Sequence, residues 1–75
     1  MTKYRNQSGN SGVTSFRIAP TSITVTFRDG ATYLYTYTSA GLHNIEKMKI
    51  LARAGQGLST FISQHVKDRF ERRLR

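Results

Sequence analysis

Hydrophobic and polar side chains alternate along the first half of the chain, and this alternation predicts β-strands. It covers residues 13–19, 23–27 and 32–38, where side chains repeat with the period of two that a strand requires. Pro20 ends the first segment because it has no amide hydrogen to contribute to a sheet. The sequence therefore predicts three consecutive strands.

The segment Arg28-Asp29-Gly30 separates the last two strands and indicates a tight turn. A three-residue loop gathers the large apolar side chains on one face, whereas a two-residue loop would place tyrosines opposite threonines. Such a loop also needs a positive φ at its third position, which Gly30 tolerates. The predicted inward side chains are those of Ile23, Val25, Phe27, Tyr33 and Tyr35. The predicted open face carries Arg17, Thr24, Thr26, Arg28, Thr32, Leu34, Thr36 and Thr38.

From Leu42 onward the period becomes helical. An apolar stripe comprises Leu42, Ile45, Met48 and Ala52, with Leu51 alongside, and the opposite, solvated face carries Glu46, Lys49 and Arg53. Thr38 or Ser39 is the predicted N-cap, and Gly55 the predicted C-terminal end.

A second helix is predicted from Leu58, with an apolar stripe comprising Leu58, Phe61, Ile62, His65 and Val66. Beyond Val66 the stripe continues into arginines. Either this helix extends past the sheet and leaves Arg69, Arg72 and Arg73 beyond the core, or it bends. A protruding helix end that carries these arginines is a candidate binding surface.

These elements predict an α+β domain of order β-β-β-α-α, in which a three-stranded antiparallel sheet is followed by two helices packed on one face. Residues 13–75 form this single domain. Residues 1–12 contain few large apolar side chains, and residues 8–12 are rich in Gly, Ser and Asn. We therefore expect residues 1–12 to be a flexible tail or a loosely docked loop.

Composition narrows the classes of function. The 75 residues contain no cysteine, which excludes disulfides, thiolate nucleophiles and cysteine-based zinc sites. No segment has the length and apolarity of a membrane span, and no apolar segment follows Met1, so we expect a cytoplasmic protein without a membrane partner. The net charge of +8 is typical of proteins that bind polyanions.

The order and spacing of several motifs resemble the KTSC domain, a short bacterial module named after the C-terminus of some lysyl-tRNA synthetases. The motifs are Phe27-x-Asp29-Gly30-x-x-Tyr33-x-Tyr35, then Gly55-x-Gly57-Leu58-x-x-Phe61-Ile62 and Val66, within about residues 8–70. The resemblance implies a free-standing, single-domain version of this family. The family has no established function; RNA binding has been suggested from the synthetase context, and there are no known catalytic residues to transfer.

Candidate catalytic groups are sparse. His43 and Glu46 are one helical turn apart, but a zinc site needs three or four protein ligands and no third is evident. None of the four carboxylates forms a pair suited to acid–base catalysis. We therefore expect no enzymatic activity, no cofactor and no metal.

The basic residues indicate RNA or DNA as the partner, bound through phosphate contacts. The candidate binding residues are Lys49, Arg53, Arg69, Arg72 and Arg73 on the predicted helices, with Arg17 and Arg28 on the sheet. The alternative is a protein partner or a homodimer, suggested by the thin core of so small a domain and by its unpaired strand edges.

Overall fold

A computed structural model describes residues 1–7, 9 and 11–75 of the chain. It is an α+β domain whose antiparallel sheet has five strands in sequence order, with helices after the fourth. The strands are Thr2–Lys3 (β1), Val13–Ala19 (β2), Ser22–Phe27 (β3), Thr32–Thr36 (β4) and Arg72–Arg73 (β5). The helices are Tyr37–Ala40 (α1), Leu42–Ala54 (α2) and Leu58–Phe61 (α3), the last continuing into a π-helical turn, Ile62–Val66.

The α+β class is therefore confirmed, but the prediction of three strands is wrong. The sequence identified β2, β3 and β4, which form the centre of the sheet. The two additional strands have only two residues each, too few for alternation to show, and they cover the two edges.

The register of the central hairpin is the one that the three-residue loop predicts. Val25 pairs with Tyr33, and Ile23 pairs with Tyr35. The amide of Phe27 donates to the carbonyl of Ala31 over 2.8 Å, and Gly30 has a φ of 90°. Ile23, Val25 and Tyr35 are buried beneath the helices, and burial raises the pKa of Tyr35 to about 12.

The strand β4 ends two residues earlier than predicted. Tyr37 starts α1, so Thr38 lies in a helix and not on the open sheet face. The N-cap of α1 is Thr36, which accepts a hydrogen bond from the amide of Ser39 while the Ser39 hydroxyl accepts from the Thr36 amide. This reciprocal capping box ends the strand and begins the helix within one residue.

The helix α2 has the predicted end at Gly55, but its faces differ in part from the prediction. Ile45, Met48 and Ala52 are buried as expected, whereas Leu42 is 57% exposed. Among the residues that the structure describes, no helix is long and apolar enough to cross a membrane.

The chain turns back after Val66, so the prediction of a helix end bearing arginines is wrong. The amide of Lys67 donates to the carbonyl of Ile62, which closes the π-helical turn, and Lys67 then adopts a φ of 45°. Phe70 packs against Tyr33 with ring centroids 4.5 Å apart. Burial of this aromatic ring directs the last residues onto the free edge of β4.

The N-terminal segment contacts the opposite edge. Tyr4 is buried in the core at 2% exposure, and its hydroxyl accepts a hydrogen bond from the amide of Leu58. The flexibility expected for residues 1–12 stays a prediction, and Ser8 and Asn10 of the predicted linker lie outside the described residues. Tyr4 nevertheless attaches this segment to the domain.

Candidate functional site

A surface groove of about 910 Å³ lies beside the N-terminal segment, β2 and the end of α2. Four exposed cationic side chains line it, and none of its nine described lining residues is acidic. The cationic residues are Lys3, Arg5, Arg17 and Arg53, and the others are Met1, Thr2, Phe16, Ile18 and Ala52. We call this feature the basic groove.

Backbone pairing positions one wall of the basic groove. Lys3 pairs with Ser15 in the antiparallel β1–β2 ladder, and the amide of Tyr4 donates to the carbonyl of Thr14 over 2.9 Å. Side chains alternate across a strand, so burial of Tyr4 leaves its neighbours Lys3 and Arg5 on the solvent side.

The end of α2 forms the other wall. Gln7 holds the N-terminal segment against it, donating through its amide to the Gly55 carbonyl and through its side chain to the Ala54 carbonyl. Arg5 passes so close that a methyl group at Gly55 would lie 2.6 Å from the Arg5 Cβ. Arg53, in the last turn of α2, lies where the helix dipole favours a cation.

None of the four cations of the basic groove forms an ion pair with a side chain in the described part of the chain, although Arg53 is close enough to Glu46 to help lower the pKa of that carboxyl group. Within residues 1–7, 9 and 11–75, the only ion pair between side chains joins Lys49 to Glu46. Four cations around one concave surface attract anions, and arginine can bind a phosphate through two parallel hydrogen bonds.

The structure thus brings together two of the predicted binding residues, Arg17 and Arg53. Sequence reasoning missed Lys3 and Arg5, which are contributed by the segment expected to be flexible. The available signal is the run Thr2-Lys3-Tyr4-Arg5, in which two cations flank one aromatic residue. One apolar residue between two polar ones is too little alternation to predict a strand.

Lys49 is not on a solvated face, contrary to the sequence prediction. The residue is 5% exposed, and its ammonium donates to the Pro20 carbonyl and to a Glu46 carboxylate oxygen, each over 2.9 Å. The Tyr37 hydroxyl lies 2.6 Å from the same carboxylate oxygen. Hydrogen bonds from Tyr37 and Lys49 lower the pKa of Glu46, so this cluster links α2 to the β2–β3 turn rather than presenting a phosphate ligand.

Arg28 lies on the other side of the N-terminal segment. Its guanidinium donates to the Ser11 carbonyl over 2.8 Å, and it borders a smaller cleft of about 330 Å³ that Lys3 and Arg5 also line. Lys3 and Arg5 therefore connect this cleft to the basic groove.

Arg69, Arg72 and Arg73 lie outside the helices, in the C-terminal segment. Arg72 and Arg73 form β5, at the sheet edge opposite β1. The Arg73 guanidinium lies 5.6 Å from the ring centroid of Tyr33, within the range of a cation–π contact. Arg17 and Arg53 therefore line the basic groove, whereas Arg72 and Arg73 lie at the far edge of the sheet.

His43 and Glu46 do not gain a third ligand. Within the described part of the chain, no group of three His, Cys, Asp or Glu side chains is placed to hold a metal ion. His65, predicted to lie partly buried on the apolar stripe, is exposed and stacks on Phe61 with ring centroids 4.6 Å apart.

No family model, curated protein or solved structure matches this chain in the comparisons made. The resemblance to the KTSC domain therefore stays a prediction from the sequence motifs.

Proposed function

We propose that the protein is a non-enzymatic module that binds nucleic acid through phosphate groups, and that the basic groove is its binding site. The observation that carries the proposal is the convergence of Lys3, Arg5, Arg17 and Arg53 on one surface whose described lining includes no acidic residue. Cations from the N-terminal segment, β2 and α2 meet there, so the site depends on the folded chain.

Binding of this kind depends strongly on salt. Each phosphate neutralised by Lys or Arg releases condensed counterions. The logarithm of the affinity therefore falls linearly with the logarithm of the salt concentration, with a slope of about 0.7–0.9 per phosphate contact. Four contacts in the basic groove predict a slope of about 3. Contacts to phosphate position the protein on nucleic acid and convey little sequence preference.

The test is a titration of labelled RNA and DNA over a series of salt concentrations with the parent protein and the Arg17→Gln, Arg53→Gln double variant. We expect the variant to bind roughly tenfold more weakly and its salt slope to fall by about 2, one for each phosphate contact.

The matched control is the Lys47→Gln, Lys67→Gln double variant, which loses the same charge at two exposed positions outside the basic groove. It should retain the parent slope. Equal slopes for the two variants would show that net charge alone attracts the nucleic acid, and absence of binding by the parent at low salt would refute the proposal.

A second candidate function is supported by an apolar groove of about 620 Å³ along α2 and α3. Leu42 and Ile50 are both 57% exposed there, beside Phe61 and His65, and both Lys47 and Glu46 also line the groove. Exposed aliphatic side chains along a groove are typical of protein-binding surfaces. The net charge of +8 disfavours a second copy of the chain, so the occupant we propose is a partner segment with apolar and acidic side chains.

Sedimentation and peptide binding test this second candidate. An acidic amphipathic peptide should bind the parent protein and lose affinity on Ile50→Ser, while Arg17→Gln leaves its binding unchanged. A concentration-dependent dimer that Ile50→Ser disrupts would instead identify a second copy as the occupant.

A further inference from the structure

The sheet face opposite the helices carries a row of four residues that runs across four strands. The register pairs Arg17 with Thr24, Thr24 with Leu34, and Leu34 with Arg72. Directly paired residues project to the same side of a sheet, so all four lie on the open face. Arginine occupies both ends of the row, and Arg17 is also part of the basic groove.

Hydroxyl groups flank this row. Ser15 pairs with Thr26 on one side of it, and Ser22 pairs with Thr36 on the other. Hydroxyls both donate and accept hydrogen bonds. The open face is therefore a hydroxyl-rich surface with a cation at each edge.

Aromatic side chains are placed on the other face. Phe16, Tyr33 and Tyr35 occupy paired positions of the inward rows, and Phe70 packs against the two tyrosines. Proteins that bind single strands stack the bases on exposed aromatic rings, which this open face does not offer in the described residues. The face is suited to a backbone rather than to unpaired bases.

The spacing of the two arginines fits a duplex. Adjacent strands lie about 4.8 Å apart, so three strand spacings place the Arg17 and Arg72 backbones roughly 14 Å apart. That distance allows two long side chains to reach the phosphates on opposite sides of one groove. The minor groove of A-form RNA is wide and shallow and displays 2′-hydroxyls, to which Ser and Thr side chains can hydrogen-bond.

We propose that the ligand of the basic groove is double-stranded RNA, and that the open sheet face lies against its minor groove with Arg17 and Arg72 on the flanking phosphates. This inference rests on the proposed function, since it extends the same site from Arg17 across the sheet. Glu71 is an acidic residue beside this surface: its carboxylate accepts a hydrogen bond from the Thr36 hydroxyl over 3.0 Å.

The experiment compares a blunt RNA duplex of about 16 base pairs, the DNA duplex of the same sequence and the single-stranded RNA at one salt concentration. We expect the parent to bind duplex RNA at least tenfold more tightly than single-stranded RNA, and several-fold more tightly than duplex DNA. Thr24→Val, which removes a hydroxyl at nearly constant volume, should reduce the preference for RNA over DNA. Thr60→Val, at an exposed helical position, is its control.

Two charge variants and one control variant test the edge of the face formed by β5. Arg72→Gln should weaken duplex RNA binding about fivefold to tenfold, whereas Arg69→Gln, in the same segment but outside the row, should have little effect. Glu71→Gln should strengthen binding, because it removes a negative charge beside the proposed phosphate position. A merely structural role for this edge predicts no gain in affinity from Glu71→Gln.

The outcomes separate the two proposals. If Arg17→Gln, Arg53→Gln weakens binding while Arg72→Gln and Glu71→Gln do not change it, the basic groove remains the site and the sheet-face inference is wrong. Equal or tighter binding of single-stranded RNA or of duplex DNA also overturns the inference alone. If the parent binds none of the three ligands at low salt, both proposals fail.

Discussion

Both ends of the chain extend the sheet, but they are anchored to the domain in different ways. Each adds a two-residue strand to one edge of the sheet, and each is attached by one aromatic side chain. At the N-terminal end, Tyr4 is buried in the core and its hydroxyl accepts from the Leu58 amide. At the C-terminal end, Phe70 is only half-buried and lies on the rings of Tyr33 and Tyr35 at the rim of the core.

At each end, one aromatic side chain attaches a mostly polar segment to the domain, so such a segment needs little apolar surface. One buried aromatic ring can contribute several kcal/mol, comparable to a large part of the stability of a small protein. The charged residues beside these two aromatic side chains also lie in different places. Lys3 and Arg5 form a wall of the basic groove, whereas Arg72 and Arg73 remain on the rim of the sheet.

The largest expected effect is that of Tyr4→Ala. Removal of a fully buried aromatic side chain should lower the free energy of unfolding by about 3–5 kcal/mol. It also leaves the Leu58 amide without its hydrogen-bond acceptor. Urea denaturation followed by circular dichroism measures the change.

The control is Tyr4→Phe, which keeps the ring and removes the hydroxyl. It should cost about 1–3 kcal/mol, because the buried Leu58 amide is left without an acceptor. If Tyr4→Ala were no more destabilising than Tyr4→Phe, the N-terminal segment would not be anchored in the core, and the comparison between the two ends would fail.

A pair of glycine variants measures how closely the N-terminal segment approaches α2. Gly55 and Gly57 have similar positive φ values, 74° and 80°, so alanine meets similar backbone strain at both. Only at Gly55 would the new methyl group collide with the Arg5 Cβ, at 2.6 Å; at Gly57 the nearest atom is a Leu51 methyl at 3.7 Å.

Gly55→Ala should therefore be more destabilising than Gly57→Ala by about 2 kcal/mol, the typical cost of overpacking. Thermal unfolding of the two variants side by side provides the difference. The same collision should displace Arg5, so Gly55→Ala should also weaken nucleic-acid binding more than Gly57→Ala does. Equal stabilities would indicate that the segment can move away from the helix end.

Phe70→Ala tests the C-terminal end and should have a smaller effect. A half-buried phenylalanine contributes roughly half of what full burial would, so we expect a loss of about 1–2 kcal/mol. Leu74→Ala is the matched control, because Leu74 lies in the same segment at 47% exposure. A loss from Phe70→Ala as large as that from Tyr4→Ala would contradict the difference between the two ends.

The smallest expected effect is that of Glu46→Gln. Glu46 lies at neither end of the chain, so its substitution is a reference for the effects of the substitutions at the two ends. Hydrogen bonds from Tyr37 and Lys49 lower the pKa of Glu46 below its ordinary value of 4.5. A carboxyl group whose pKa is lowered by folding stabilises the protein above its unfolded pKa, and this contribution is lost as pH falls through the folded pKa.

Stability of the parent should therefore decrease as pH falls below about 4.5, and the Glu46→Gln variant should show a weaker dependence in the same range. Urea midpoints between pH 3 and 7 check this expectation. The losses caused by Tyr4→Ala and Phe70→Ala come from packing, so they should be nearly independent of pH over that range. If the urea midpoints of Glu46→Gln and of the parent decreased equally as pH fell, Glu46 would have no such role.

Local patterns in the sequence determined the centre of the fold. Alternation identified β2 and β3, the inward parity of Val25 and Tyr33 selected the three-residue loop, and helical periodicity identified α2 up to Gly55. These features depend on neighbouring residues or on residues across one short turn, so the information lies within a few positions of the chain.

Tertiary contacts decided the two edges and therefore the site. Thr2 pairs with Phe16, and Leu34 pairs with Arg72, across separations that no local period records. The burial of Lys49 likewise depends on the Pro20 carbonyl, which lies 29 residues away along the chain. A two-residue strand has too few side chains for a period to be detected, and its position follows from the burial of one aromatic ring. The basic groove is lined by residues of the N-terminal segment, β2 and α2, which are separate in the sequence. Only the folded chain therefore brings its charges together.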